Sequence, residues 1–402
     1  MFGLTALPKP VRRALKWDAI AAAIGGLSAG AIFPFMGVIL RRDLHGSAFA
    51  IAIIGAAWSL GNLFNPLMAH YIRDRVKLPY AVWPPAISRG LLLLMPLAVA
   101  APAFVAIAVL SFAVASLASP AYAAVIRDAY PVERRGFLMG LVRVLWVAGA
   151  MLGAILGGSL LEHFSYRWVF PVVSIIGIGA VAAFARIGVP AAPEATTEQE
   201  RARVFDAFKV LLTDRVFRLY AAAFFLWGLG NLILMPVFPI FQVDVLKISN
   251  RWVGYLAMTT SGISVLGYLY WGRLLDRQGP FRLLLQVLAF SAIAPLTYFF
   301  AHNVPTLLIA SAAQGLAFAG GDLGYVNAAL RFGRREAVTY YAGTFAFLQA
   351  VRGIPGPFIG AALAEWLGPR PVFLIPLGLW TVSAAIAFLG WRRGQGQLDA
   401  DV

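Results

Sequence analysis

From Leu91 to Phe112 the chain carries no charged side chain, and apolar runs of this kind recur along its whole length. A soluble protein needs roughly 25% charged residues to cover its surface. This chain of 402 residues has 13%, with 60% hydrophobic residues and a mean hydropathy of +0.78. Its surface must therefore be largely apolar, and lipid is the solvent that suits it. Backbone groups in lipid are satisfied only inside helices or closed barrels. The runs lack the alternation of a barrel strand, so the expected fold is all-α and integral to a membrane.

Windows of roughly 20 apolar residues predict twelve transmembrane helices. They fall at 17–40, 48–70, 79–100, 103–126, 138–161, 168–188, 218–241, 252–272, 281–301, 305–328, 338–361 and 371–391. The turn between spans three and four is placed around Ala101–Pro102. The first run is too long for a cleavable signal and reads as span one. Alternate loops differ in charge. Those on the side of both termini hold about 24 Lys and Arg, the opposite loops about 6. Both termini are thus expected in the cytoplasm, with the chain a multi-pass protein of a cell membrane, by expectation a bacterial inner membrane. The net charge of +15 follows from this asymmetry and is spread over many short loops, so no nucleic-acid partner is expected.

Other chemistry is excluded by residue type. With no cysteine there is no disulfide, thiol nucleophile or thiolate metal site. His45, His70, His163 and His302 lie far apart, so no metal is expected. No phosphate-binding loop, catalytic triad spacing or dinucleotide motif is present. Neither an enzyme nor an ATP-driven pump is expected, and no cofactor. The remaining partners are a small-molecule substrate and membrane lipid, with a monomer as the expected state.

The chain reads as two halves. Residues 1–188 form a six-helix bundle, 189–217 a cytoplasmic linker, and 218–402 a second six-helix bundle. Within the linker Phe205, Phe208, Leu211 and Leu212 have the spacing of an interfacial helix. At an offset of 203, Gly153, Gly157, Glu162, Arg167, Val169 and Phe170 meet Gly356, Gly360, Glu365, Arg370, Val372 and Phe373. At an offset of 202, Pro34, Leu44 and Ser47 meet Pro236, Leu246 and Ser249. An even number of spans per half makes these parallel pseudo-repeats about an axis along the membrane normal.

After span eight comes GRLLDRQGPFR, with Gly272, Asp276, Arg277, Gly279 and Arg282. Gly272 permits close helix approach and Gly279 a tight turn. This loop resembles the signature loop of the major facilitator superfamily, and the resemblance covers essentially the whole chain. It implies that fold, alternating access, and a cytoplasmic latch formed by the loop. The loop of Asp128, Pro131, Arg134, Arg135 and Gly136 is similar to the family's loop between spans four and five. The corresponding first-half loop, HYIRDRVKLPY, keeps Asp74 but lacks both glycines. Span five carries Gly149, Gly153, Gly157 and Gly158, resembling the family's antiporter motif. Its Gly-Pro step lies instead in span eleven, at Gly356-Pro357, and spaced small residues also serve simple helix packing.

Ionisable residues inside spans are costly and mark functional candidates. They are Arg89, Arg143, Asp322 and Arg352. At 1.5 Å per residue, Asp322 and Arg143 each lie roughly 10 Å inside their spans and Arg352 roughly 20 Å, so Asp322–Arg143 is a candidate ion pair. Asp322 is the acid placed well inside a span and hence the candidate for proton coupling. Asp18, Glu162 and Glu365 are placed near span ends. In the resembling family spans one, four, seven and ten line the cavity. That implies Phe33, Phe35 and Met36; Ser116, Ser119 and Tyr122; Trp227, Asn231 and Phe238; and Gln314, Asp322 and Tyr325, with Arg352 nearby. Aromatic and amide groups suit a neutral or amphiphilic organic solute. The leading expectation is secondary active transport, with proton-coupled efflux ahead of uptake. A passive facilitator, a nutrient importer and a non-transporting sensor or scaffold stay open.

Overall fold

A computed structural model describes residues 7–188, 211–332 and 338–398. Among these residues every regular element is helical, and long helices follow one another along the chain. Nine of them are long and apolar enough to cross a membrane. The described chain clusters into two units.

The first unit holds α1 (Lys9–Arg42), α2 (Ala48–Asn62 continued by Asn65–Tyr71), α3 (Leu78–Leu92), α4 (Ala101–Ser116 continued by Ser119–Ala129), α5 (Arg135–His163) and α6 (Tyr166–Phe184). Pro10 sits in the first turn of α1, where its missing N–H is not needed, and Arg41 and Arg42 complement the dipole at its end. For the same reason Pro102 lies inside the first turn of α4 rather than in the preceding turn, which falls at Ala98–Ala100. Residues 248–258, which include the first turns of the eighth helix, also cluster with this unit. Asn250 donates to the Leu161 carbonyl and accepts from Arg42, at 2.8 and 2.9 Å.

The second unit contains α7 (Arg215–Ile240, ending in a π turn, Phe241–Val245), α8 and α9, α10 (Leu307–Phe332), α11 (Val338–Gly353 continued by Pro355–Leu367) and α12 (Ile375–Leu398). Helices α8 and α9 are the two parts of Asn250–Phe300 on either side of Gly279, whose φ of 75° breaks the run. Helix α11 breaks at Ile354, just before the Gly-Pro step read in span eleven, because Pro355 has no N–H for the carbonyl of Val351 and Pro357 none for that of Gly353.

Glycines set the closest helix contacts in each unit. A Cβ at Gly153 of α5 would lie 2.0 Å from the Leu27 carbonyl oxygen of α1, and one at Gly30 equally close to that of Ala150. Such backbone approach is the packing that small residues allow in lipid. The offsets read from sequence hold in space. Gly157 packs on Ala31 in the first unit; Gly360 packs on Ile233, 202 residues after Ala31, in the second.

Candidate functional site

In the second unit, α7 is held by its central Trp227. This residue is buried, and its indole N–H donates to Ser291 Oγ at 2.8 Å. The Trp227 carbonyl accepts from Asn231 and from the indole of Trp380, both at 2.9 Å. The ring lies directly on Gly321 of α10, where a Cβ would sit 2.0 Å from it. Asn231, Phe238, Gln314, Ser291 and Trp380 edge a pocket of about 10 Å³, room for roughly one water. Sequence-selected residues thus meet here, but they brace one another around a water-sized space.

Arg352 of α11 is 5% exposed. Its guanidinium donates to the carbonyls of Phe224 and Phe225 at 2.5 and 3.2 Å and stands over the Phe224 ring. Gly228 leaves the notch it fills, since a Cβ there would lie 1.8 Å from the guanidinium carbon. In the first unit the matching contact is bare: Gly149, 203 residues before Arg352, abuts the carbonyl of Ala23. The extra charge therefore replaces a backbone contact between the fifth and first helices of a repeat.

Asp322 is exposed on α10 and accepts from the Tyr268 hydroxyl of α8 at 2.8 Å. The side chain of Tyr325 lies outside the described residues.

In the first unit Phe33 is 41% exposed and packs on Phe112, with the Arg89 guanidinium 5.9 Å from its ring centre. The Arg89 stem rests in the notch at Gly177 of α6. Met36 and Phe35 are buried in helix packing, and Ser116 donates to the Ala113 carbonyl. Ser119 is exposed, and Tyr122 packs on Phe184. Arg143 stacks over Trp146.

Asp18, placed by the sequence near the end of span one, lies deeper than that in the structure. The fold buries it to 3% exposure, with the Tyr130 hydroxyl donating to it at 2.7 Å. Tyr122 lies within electrostatic reach of both Asp18 and Arg143. A signal was present: along α1, Asp18 is followed by no other charge before Arg41.

In the α8–α9 loop Gly279 makes the tight turn expected of it and faces the guanidinium of Arg331. Gly272 does not provide close approach: among the described residues nothing lies within 4 Å of a Cβ added there. Arg282 stacks on Trp391 of α12, while the side chains of Asp276 and Arg277 lie outside the described residues. The first-half loop makes its turn without glycine. Lys77 donates to the carbonyls of Ile72 and Arg75 at 2.7 and 2.8 Å, and to that of Arg73. In the loop after α4, Asp128 pairs with Arg127 at 3.3 Å, and Arg135 donates to the carbonyls of Arg127 and Tyr130. Arg134 stands at the N-cap of α5.

The Major Facilitator Superfamily profile matches residues 19–303, well over half of the chain. The chain belongs to the Major Facilitator Superfamily. Curated relatives include the multidrug resistance protein MdtG of Proteus mirabilis, 32% identical over 171 residues. The MdtG of a Rahnella strain is 31% identical over 172. These matches cover 41% of this chain and about two fifths of each relative, 40% and 39%. Two solved structures share the superfamily fold over nearly the whole chain. A bacterial homolog of the human lysosomal transporter Spinster has a TM-score of 0.70 at 15% identity, covering 96% of this chain and 98% of its own. The nucleoside transporter NupG has 0.72 at 12%, covering 94% and 99%.

Proposed function

We propose that this superfamily member is a secondary active transporter of a small neutral or amphiphilic organic solute, working by alternating access as a proton-coupled efflux system. The likeness to multidrug resistance proteins supports the direction and the solute class. The observation that carries the coupling is Asp322, an acid on α10 whose carboxylate is exposed and held by a neutral partner, Tyr268. An acid inside a span is costly to keep there, and by default it marks a functional site. Both termini lie in the cytoplasm of a bacterial inner-membrane protein in this reading, and the chain acts as a monomer without nucleic acid. In this reading the two six-helix bundles, 1–188 and 218–402, joined by the 189–217 linker, rock one against the other. The α8–α9 loop, together with Asp128 and Arg134, serves as the latch.

Reconstitution in liposomes with an imposed pH gradient tests this. Asp322→Asn is expected to lose gradient-driven movement of cationic dyes while keeping downhill exchange. Full gradient-driven transport by Asp322→Asn rules out the coupling role. Equal rates with and without the gradient in the unmodified protein make it a passive facilitator.

A further inference from the structure

Helices α2 and α4 break at the same depth. Pro66 has no N–H for the Asn62 carbonyl and Pro120 none for that of Ser116, and each helix restarts around its proline. Just before the breaks the two helices touch, since a Cβ on Gly61 would lie 2.6 Å from the Ala113 carbonyl oxygen. At the break of α2, and beside the last turn of α4 before its own break, the helices flank an apolar groove of about 400 Å³. Gly61, Phe64, Leu67 and Met68 wall it on one side, Val114 and Leu117 on the other. The second unit makes the equivalent contact, Gly315 against Thr260 and Ser264, but its α8 and α10 run on unbroken past that point.

The groove ends at Tyr71. The guanidinium of Arg75 lies 4.0 Å from the centre of that ring, and donates to the hydroxyls of Tyr71 and Tyr80 at 2.8 and 3.2 Å. Arg75 is exposed. Around it Arg73 and Lys77 outnumber Asp74, although the Lys77 ammonium is turned onto backbone carbonyls. From Gly61 to Tyr71 the helical rise is about 15 Å, half of a hydrocarbon core of roughly 30 Å. Along α2 the groove thus extends over a length comparable to one leaflet, with a cation at its end.

We propose that this groove is a lipid-binding site that holds one acyl chain of an anionic phospholipid, with the phosphate on Arg75. Length, apolar walls and charge each match that occupant. A guanidinium presents paired donors to a phosphate, which a zwitterionic headgroup's ammonium partly offsets. Nothing here requires transport, so failure of this inference leaves the transport reading standing.

Native mass spectrometry of the full chain in mild detergent, with phosphatidylglycerol or phosphatidylcholine added, tests it. The unmodified protein is expected to retain phosphatidylglycerol about tenfold over phosphatidylcholine. Arg75→Gln should remove that preference, and Arg75→Lys, which keeps the charge but not the paired donors, should restore only part of it. Leu117→Trp fills the groove and should lower retention of both lipids; Val114→Trp fills it independently if the first variant folds poorly. Undiminished phosphatidylglycerol retention in Arg75→Gln, or in a well-folded filled variant, overturns the proposal. So does a groove that binds tetraphenylphosphonium, loses it in the filled variants and ignores phosphatidylglycerol, since it then belongs to a transported solute.

Discussion

The guanidinium of Arg352 on α11 donates to the carbonyl of Phe224 on α7 at 2.5 Å, so a buried cation pins two helices of one repeat together. Its counterpart in the other repeat is Gly149 against a carbonyl, with no charge at all.

Arg352→Ala is expected to destabilise the protein by roughly 2–4 kcal/mol, through a cavity beside Gly228 and the loss of charged hydrogen bonds. Arg352→Lys should recover part of this, because an ammonium still reaches a carbonyl. Thermal unfolding in detergent measures both. An Arg352→Ala protein as stable as its parent, but unable to transport, would move this residue from packing to substrate.

Gly157 and Gly360 occupy equivalent close contacts, on Ala31 and on Ile233. Valine at either position must force the helices apart, at a cost of about 3 kcal/mol or more. Gly378→Val is the control, since nothing lies within 4 Å of a Cβ there. Monodisperse yield on size exclusion should fall for the first two variants and hold for the third.

Asp18 and Tyr130 form a buried pair at 2.7 Å. Asp18→Ala strands the tyrosine hydroxyl and is expected to cost about 1–3 kcal/mol, whereas Asp18→Asn keeps an acceptor and should cost under about 1 kcal/mol. Calorimetry of the two variants decides. Equal losses would mean that the charge, not the hydrogen bond, holds this contact.

Lys77 does in the α2–α3 loop what Gly279 does in its second-half counterpart. Lys77→Met removes charge-assisted bonds to backbone carbonyls and should cost roughly 2 kcal/mol, with faster proteolysis of the loop. A Lys77→Met loop no more sensitive to trypsin-independent cleavage than its parent would show that the turn holds without the ammonium.

Much of this molecule was legible in the sequence because lipid leaves few options. Apolar length dictates helices, and the repeat offsets followed from coincident Glu, Arg and Gly positions. Gly279 was readable as a turn because a positive φ is a local property of the backbone. Gly272 was misread, since close approach depends on what stands opposite, and no neighbour is given by the glycine itself. Asp18 stands at the start of an apolar run, and that position alone places it near a span end. Burial was decided by α4, which brings Tyr130 over it from 112 residues away.

The sequence by itself therefore determined that the chain is helical, membrane-embedded and doubled, since these rest on composition and periodicity along the chain. Tertiary structure alone decided what each polar residue does. Arg352 became a pin, Trp227 a brace and Arg75 the head of an apolar groove. Each role comes from contacts between helices distant in sequence, and their geometry cannot be summed from local preference.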